Sequence, residues 1–335
     1  MSTKPFGFPV RTPPAEAQPL PVVLLTGFLG SGKTSFLRRV LADDAAADTA
    51  VLINEFGEIG LDHLMVEATR PGDVVQLPSG CMCCAVKQDL ALALHRLLSS
   101  RADGTLPPFR RVAIETSGLA EPAPILYTLA ADAYLEHMLR CERVVTVVDG
   151  LFGEATIERF AEATAQAVCA DLLLISKTDL QPDSASLRQR LQTLNPWAEI
   201  AEGATLASPA AALFAAGPAR RKQRPWAAAA HSNGITAHTL ILHRKLTRLE
   251  FAVALGGLAR ERGEDLLRVK GIVEFADRPG RPAELHAVQH TLYPPRWLDA
   301  WPDSDHRQVL VCIVRDIEAD EIRRCFSAGD PEIML

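Results

Sequence analysis

Gly27-Phe28-Leu29-Gly30-Ser31-Gly32-Lys33-Thr34 is the stretch on which the fold turns. Glycine, four residues, glycine, lysine and threonine is the spacing of a phosphate-binding P-loop. Its flanks agree: Pro21 to Thr26 reads as a buried strand, and Ser35 to Leu41 begins a helical pattern. The glycines let the backbone close around an anion, so that amide groups and the positive end of the next helix converge on phosphates. On this reading Gly27, Gly30, Ser31, Gly32, Lys33, Thr34 and Ser35 bind the nucleotide. Lys33 reaches the terminal phosphates, and the Thr34 hydroxyl faces the magnesium ion that bridges them.

Downstream, strand-like runs alternate with helical patterns, the signature of a mostly parallel α/β sheet covered on both faces. Ala50 to Asn54 is a second strand, running into the polar turn Glu55 to Gly60. Asp73 to Leu77 is a third, followed by Pro78-Ser79-Gly80, then Cys81-Met82-Cys83-Cys84, then a helix marked by Val86, Leu90, Leu94 and Leu97. Arg111 to Ile114 delivers Glu115-Thr116-Ser117-Gly118 to the P-loop edge. A carboxylate there suits the ordering of magnesium-bound water, and the Gly118 amide suits sensing of the terminal phosphate. Lys33, Thr34 and Glu115 are thus the candidate catalytic groups.

Val144 to Asp149 and Asp171 to Ile175 are later strands, the second ending in Ser176-Lys177-Thr178-Asp179. Guanine presents N1–H and an exocyclic amine, two donors that the single carboxylate of Asp179 accepts together. The Lys177 stem is suited to lie against the base. Beyond the helix Ser184 to Leu194, a short strand at Glu199 to Ala201 and a small helix near Pro209 to Phe214 close a domain spanning 21–215. Residues 216–233 read as a linker. Residues 234–330 form a smaller α+β domain with strands at Ile235 to Leu242, Leu266 to Phe275, Ala283 to His290 and Gln308 to Val314. Its helices are Leu246 to Arg262 and Glu318 to Ser327, and it contains no catalytic pattern.

The 335 residues suit about two domains, and 48% hydrophobic content is ample for their cores. A formal charge of −6 gives no reason to expect a nucleic-acid partner. No apolar run approaches the ~18 residues of a membrane helix, so no membrane partner is expected. The proline-rich segment 1–20 reads as a disordered arm, not a secretory signal. Seven cysteines, three of them within four positions, argue against a disulfide framework and for a reducing compartment, the cytoplasm. Clustered thiolates are soft ligands suited to zinc, cuprous copper and, less selectively, cobalt or nickel. Cys81, Cys83 and Cys84 precede a helix whose N-terminal dipole favours their deprotonated form. His63 and Glu58 are candidates for a fourth ligand.

Together the P-loop, Asn54-Glu55-Phe56-Gly57-Glu58, Gly80-Cys81-Met82-Cys83-Cys84 and Glu115-Thr116-Ser117-Gly118-Leu119-Ala120-Glu121-Pro122 resemble the CobW family. Arg268-Val269-Lys270-Gly271 resembles its C-terminal domain. The resemblance implies a cytoplasmic GTPase that takes a transition metal at the cysteines and delivers it to a client metalloprotein. Two departures stand out. Ser176 replaces the asparagine of the family's Asn-Lys-x-Asp, shortening one base contact, and the linker holds a single His231 where many relatives are histidine-rich. A P-loop phosphotransferase acting on a small acceptor and a non-catalytic metal-binding scaffold are the competing readings.

Overall fold

In this computed structural model the described residues are 18–53, 64–68, 74–77, 86–180, 184–215, 234–302, 304 and 306–327. The N-terminal unit runs β1 (Leu20–Thr26), α1 (Lys33–Leu41), β2 (Thr49–Ile53), β3 (Leu64–Ala68), β4 (Val74–Leu77), α2 (Val86–Ala102) and β5 (Arg111–Glu115). It continues with α3 (Pro122–Ala131), α4 (Ala133–Met138), β6 (Leu139–Asp149), α5 (Gly153–Arg159), α6 (Ala161–Cys169), β7 (Leu172–Ser176), α7 (Ala185–Leu194), β8 (Glu199–Glu202) and α8 (Pro209–Phe214).

Its sheet has the order β4-β3-β2-β5-β1-β6-β7-β8. The six strands from β2 to β8 in that order are parallel, and β3 and β4 add an antiparallel hairpin at one edge. The apolar run of β1 explains why the sheet is covered twice. Val22 and Leu24 pack with residues of α2 and α3, while Val23 and Leu25 pack with Phe36, Leu37 and Val40 of α1 and with α8. Successive side chains of a strand point to opposite faces, so a run with no polar interruption requires helices on both.

The C-terminal unit comprises β9 (Ile235–Leu242), α9 (Arg248–Arg262), β10 (Leu266–Glu274), β11 (Pro282–Val288), β12 (Thr291–Leu292), β13 (Arg296–Trp297), β14 (Gln308–Arg315) and α10 (Ala319–Ser327). Its antiparallel sheet has the order β12-β11-β10-β14-β9, with β13 on β11. α9 begins with a capping box in which Thr247 and Glu250 satisfy each other's backbone amides. Along β14, Leu310, Cys312 and Val314 face α9 and α10, whereas Val311 and Ile313 face α6 and α7 of the N-terminal unit. This sheet is therefore also buried on both sides, its second cover being the N-terminal unit itself.

Several elements differ from the expectations above. β6 begins five residues before Val144 and runs along all of β1 through a register shift at Val22/Val23. The hairpin strand β3, and α3 to α6 between Gly118 and Asp171, complete the sheet and its cover. Residues 1–17, the turn 54–63 with Glu58 and His63, the segment 78–85 with Cys81, Cys83 and Cys84, and the linker 216–233 with His231 lie outside the described residues.

Candidate functional site

The P-loop bridges β1 and α1 at the carboxyl end of the central strand. Gly27 at φ 144°, Gly30 at φ 70° and Gly32 at φ 94° supply the positive angles. At Gly27 space also decides: a Cβ there would lie 2.2 Å from Val147 O of β6. Gly32 is the N-cap of α1, and the Ser31 amide donates to Phe28 O at 3.2 Å, tightening the loop. Ser31 is buried, and Ser35 lies exposed on α1. Lys33 curls back over the loop, its Nζ donating to Gly27 O at 2.8 Å and Phe28 O at 3.1 Å.

β5 lies beside β1 in register, Leu25 opposite Glu115. This brings the buried Glu115 carboxylate to the first turn of α1, where the Thr34 hydroxyl donates to Oε1 at 2.6 Å. Just beyond, the Thr116 amide donates to Leu25 O, and its hydroxyl donates to Thr26 Oγ1 at 2.9 Å. Gly118 is pressed against the P-loop, since a Cβ on it would lie 2.7 Å from Leu29 N and Cα. Thr34 and Glu115 are hard oxygen donors facing each other, a set that fits a magnesium ion and not a soft metal.

Ser176, Lys177 and Asp179 emerge from β7 two strands away. The Ser176 hydroxyl points to the P-loop and donates to Ser31 O at 2.7 Å and Val148 O at 3.2 Å. It ties the two loops together instead of reaching outward. Lys177 sits at φ 56°, a conformation costly for a non-glycine residue. From there its ammonium donates to Asp149 Oδ2 at 2.6 Å. Asp179 is exposed, with its carboxylate accessible to a ligand.

Comparison with known proteins accords with this arrangement. Residues 21–202 match the CobW/HypB/UreG nucleotide-binding domain, and residues 235–329 match the cobalamin synthesis protein cobW C-terminal domain. The chain belongs to the CobW family. Zinc chaperone YjiA of Escherichia coli is 30% identical over 321 residues, covering 92% of this chain and 98% of that protein. Zinc-regulated GTPase metalloprotein activator 1 of Schizosaccharomyces pombe is 34% identical over 192 residues, 55% of this chain and 46% of that protein. The crystal structure of Zn(II)-bound YjiA GTPase from E. coli superposes with a TM-score of 0.67 at 26% identity, covering 93% of this chain and 99% of that one. A Zn(II)-bound triple mutant of YjiA, with one glutamate and two cysteines changed to alanine, gives 0.70 over the same shares.

Within this CobW-family site some residues carry no sequence signal of their own. Asp149 holds Lys177 with one oxygen and accepts from the amides of Leu151 and Phe152 with the other, fixing the turn after β6. Gly150 is required beside it, because a Cβ would lie 2.4 Å from Ser176 O. Gln166 of α6 reaches the carbonyls of Gly118 and Ala120. A strand-end aspartate before glycine is the only readable hint among these. Among the described residues no group of three or more His, Cys, Asp or Glu side chains is placed to hold a metal ion, and no helix is long and apolar enough to cross a membrane.

Proposed function

We propose that this GTPase binds a transition metal, zinc ahead of cobalt or nickel, at Cys81, Cys83 and Cys84 and hands it to a client metalloprotein in the cytoplasm, with GTP hydrolysis resetting the exchange. The names of the relatives support zinc, and clustered thiolates suit it chemically. Lys33 and the P-loop amides hold the phosphates, Gly118 senses the terminal one, and Lys177 and Asp179 receive the base. Thr34 would hold magnesium with Glu115 beside it; when bound, the ion neutralises charge on the β- and γ-phosphates.

One observation carries the coupling of metal to nucleotide. In the parallel pairing of β2 and β5, Ile53 lies opposite Glu115, so the chain leaves the sheet at residue 54 beside the hydrolytic carboxylate. It re-enters at β3, where Met65 pairs with Ile53, and leaves again after Leu77, which pairs with Leu64. Both departures are at the nucleotide edge, and Cys81 is four residues beyond the second. A segment tethered there is suited to be ordered by the terminal phosphate and loosened by hydrolysis.

Zinc titration tests this on the wild type and on a variant with all three cysteines changed to serine. Affinity for zinc should be higher with a GTP analogue and magnesium than with GDP, and zinc should tighten the analogue by the same factor. Equal affinity in both nucleotide states, or affinity undiminished in the serine variant, would overturn the reading. The zinc found in the YjiA triple mutant makes the second control necessary.

A further inference from the structure

The loop after β5 is held from behind by a residue that the phosphate chemistry does not assign. Gln166 lies within α6 with 0% of its surface exposed. Its Nε2 donates to Gly118 O at 3.1 Å and to Ala120 O at 3.0 Å. Two converging carbonyls fix the orientation of the amide, because only the NH2 end offers two donors. Oε1 is buried with no hydrogen-bond partner among the described residues. A helix position facing an apolar core accommodates leucine without that cost, so glutamine here serves the two carbonyls.

The last turn of α6 (Ala161–Cys169), which holds Gln166, is fixed by donors from both units. A helix ends in four carbonyls that it does not satisfy itself. Thr146 donates to Gln166 O at 2.7 Å, and Asn195 Nδ2 donates to the carbonyls of Ala167, Val168 and Ala170 at 2.9 Å each. Arg268 of β10, 1% exposed, adds Nη1 to Val168 O at 3.2 Å and Nη2 to Asp171 Oδ1 at 2.5 Å. Lys270 donates to the same carboxylate, whose Oδ2 accepts from the Val144 amide at 2.9 Å. A guanidinium at a helix C-terminus also complements the dipole.

We propose that α6 couples the C-terminal unit to the GTPase centre. Gln166 is a positioning residue that sets the Ser117–Ala120 loop, and Arg268 sets Gln166 by anchoring the last turn of the same helix. The inference rests on Gly118 acting as the phosphate sensor. Movement of that peptide toward the terminal phosphate shifts its carbonyl, Gln166 follows, and α6 changes its seat against β10. By linkage, whatever shifts β10 biases the loop in return.

The test uses the full chain. Gln166→Met keeps the length and removes both donors, and Arg268→Lys keeps a charge beside Asp171 but lacks the fork that also reaches Val168. Gln166→Met should lower kcat by about tenfold while GDP affinity stays within about twofold, and should speed hydrogen exchange at Gly118 to Ala120. Arg268→Lys should act in the same direction more weakly, and the double variant should fall less than the product of the two. Wild-type kcat and exchange in Gln166→Met, or strict multiplication in the double variant, overturn the coupling. Should Gln166→Met not fold, Gln166→Asn, an amide one methylene shorter, takes its place with the same criteria. Gly118→Ala separates the two claims: loss of turnover there with silent Gln166 variants sinks only the coupling, whereas unchanged turnover in Gly118→Ala sinks the sensor reading beneath it.

Discussion

The Thr34 hydroxyl donates to Glu115 Oε1 across 2.6 Å, joining the first turn of α1 to the end of β5. Glu115 is 3% exposed, so its charge acts in a medium that screens it weakly. Glu115→Gln preserves the shape and leaves an oxygen to accept from Thr34, but removes the charge. Turnover should fall by about 10²-fold or more, with the melting temperature little changed and GDP still bound. Single-turnover hydrolysis and a thermal melt check this, and a variant hydrolysing GTP at the wild-type rate would remove Glu115 from the centre.

Ser176 and Asp179 are separated by the same reasoning. Ser176→Ala loses the bond to Ser31 O and loosens the loop after β7 from the P-loop. A bond of about 1 kcal/mol corresponds to roughly a fivefold loss of affinity, equal for GTP and GDP because the phosphates are not involved. Asp179→Asn should instead change the base preferred, toward xanthine, whose edge presents an acceptor where guanine has its amine. Competition between labelled GTP and unlabelled GTP, ATP and xanthosine triphosphate reads both effects. Equal binding of ATP and GTP by the wild type would count against Asp179 as the base reader.

What the sequence shows and hides follows from where the partner of each residue lies. The P-loop is legible because its spacing is dictated by a local backbone path, as the 2.2 Å approach at Gly27 illustrates. Ser176 reads as a truncated base contact, yet its hydroxyl is turned to a carbonyl 145 residues earlier in the chain. Gln166 sits among alanines in Ala161-Glu162-Ala163-Thr164-Ala165-Gln166-Ala167, a pattern with little apolar contrast to mark either the helix or its buried face. Arg268 and Lys270 alternate along a strand as solvent-facing charges do. They are buried because Asp171 of the other unit meets them. Pattern reading follows local periodicity, and these residues answer to distant partners.

That buried cluster predicts a pH dependence of stability. His286 stacks on Tyr293 with ring centroids 5.0 Å apart, and its Nε2 is buried. Burial, reinforced by the charges of Arg268 and Lys270 and opposed by Asp171, holds its pKa well below 6.5. Below that value the unfolded chain binds a proton that the folded chain does not. The His286 contribution is therefore complete above pH 6.5 and declines as pH falls, by about 1.4 kcal/mol per unit. Asp171 behaves differently: burial alone would raise its pKa, but Lys270 and Arg268 outweigh it and hold the carboxyl well below the usual range. Its contribution stays intact down to about pH 4, where the unfolded carboxyl begins to protonate. Urea melts between pH 7 and pH 5 should show the wild type losing stability faster than His286→Phe. Parallel curves would exclude His286 as the source.

The same burial makes the cysteines separable by reactivity. Cys141, Cys169, Cys312 and Cys325 are free thiols. Burial pushes Cys141 and Cys312 up to about 12 and Cys169 up to about 11. Cys325 is raised as well, by burial and then by Glu261 and Glu321. Because the thiolate is the reacting species, a pKa of 11 to 12 leaves on the order of 10⁻³ or less of each such thiol reactive near neutral pH. Brief treatment of the native protein with iodoacetamide at pH 7.5 should label Cys81, Cys83 and Cys84 and spare Cys141, Cys169 and Cys312. Stoichiometric zinc with a GTP analogue should protect the three, since a ligated thiolate is not free to attack, and GDP should restore labelling. Peptide mass spectrometry assigns each site. Labelling of Cys141 or Cys169 at the rate of the cluster would show that their thiols are not shielded, and labelling of all three cluster cysteines unaffected by zinc would show that they are not its ligands.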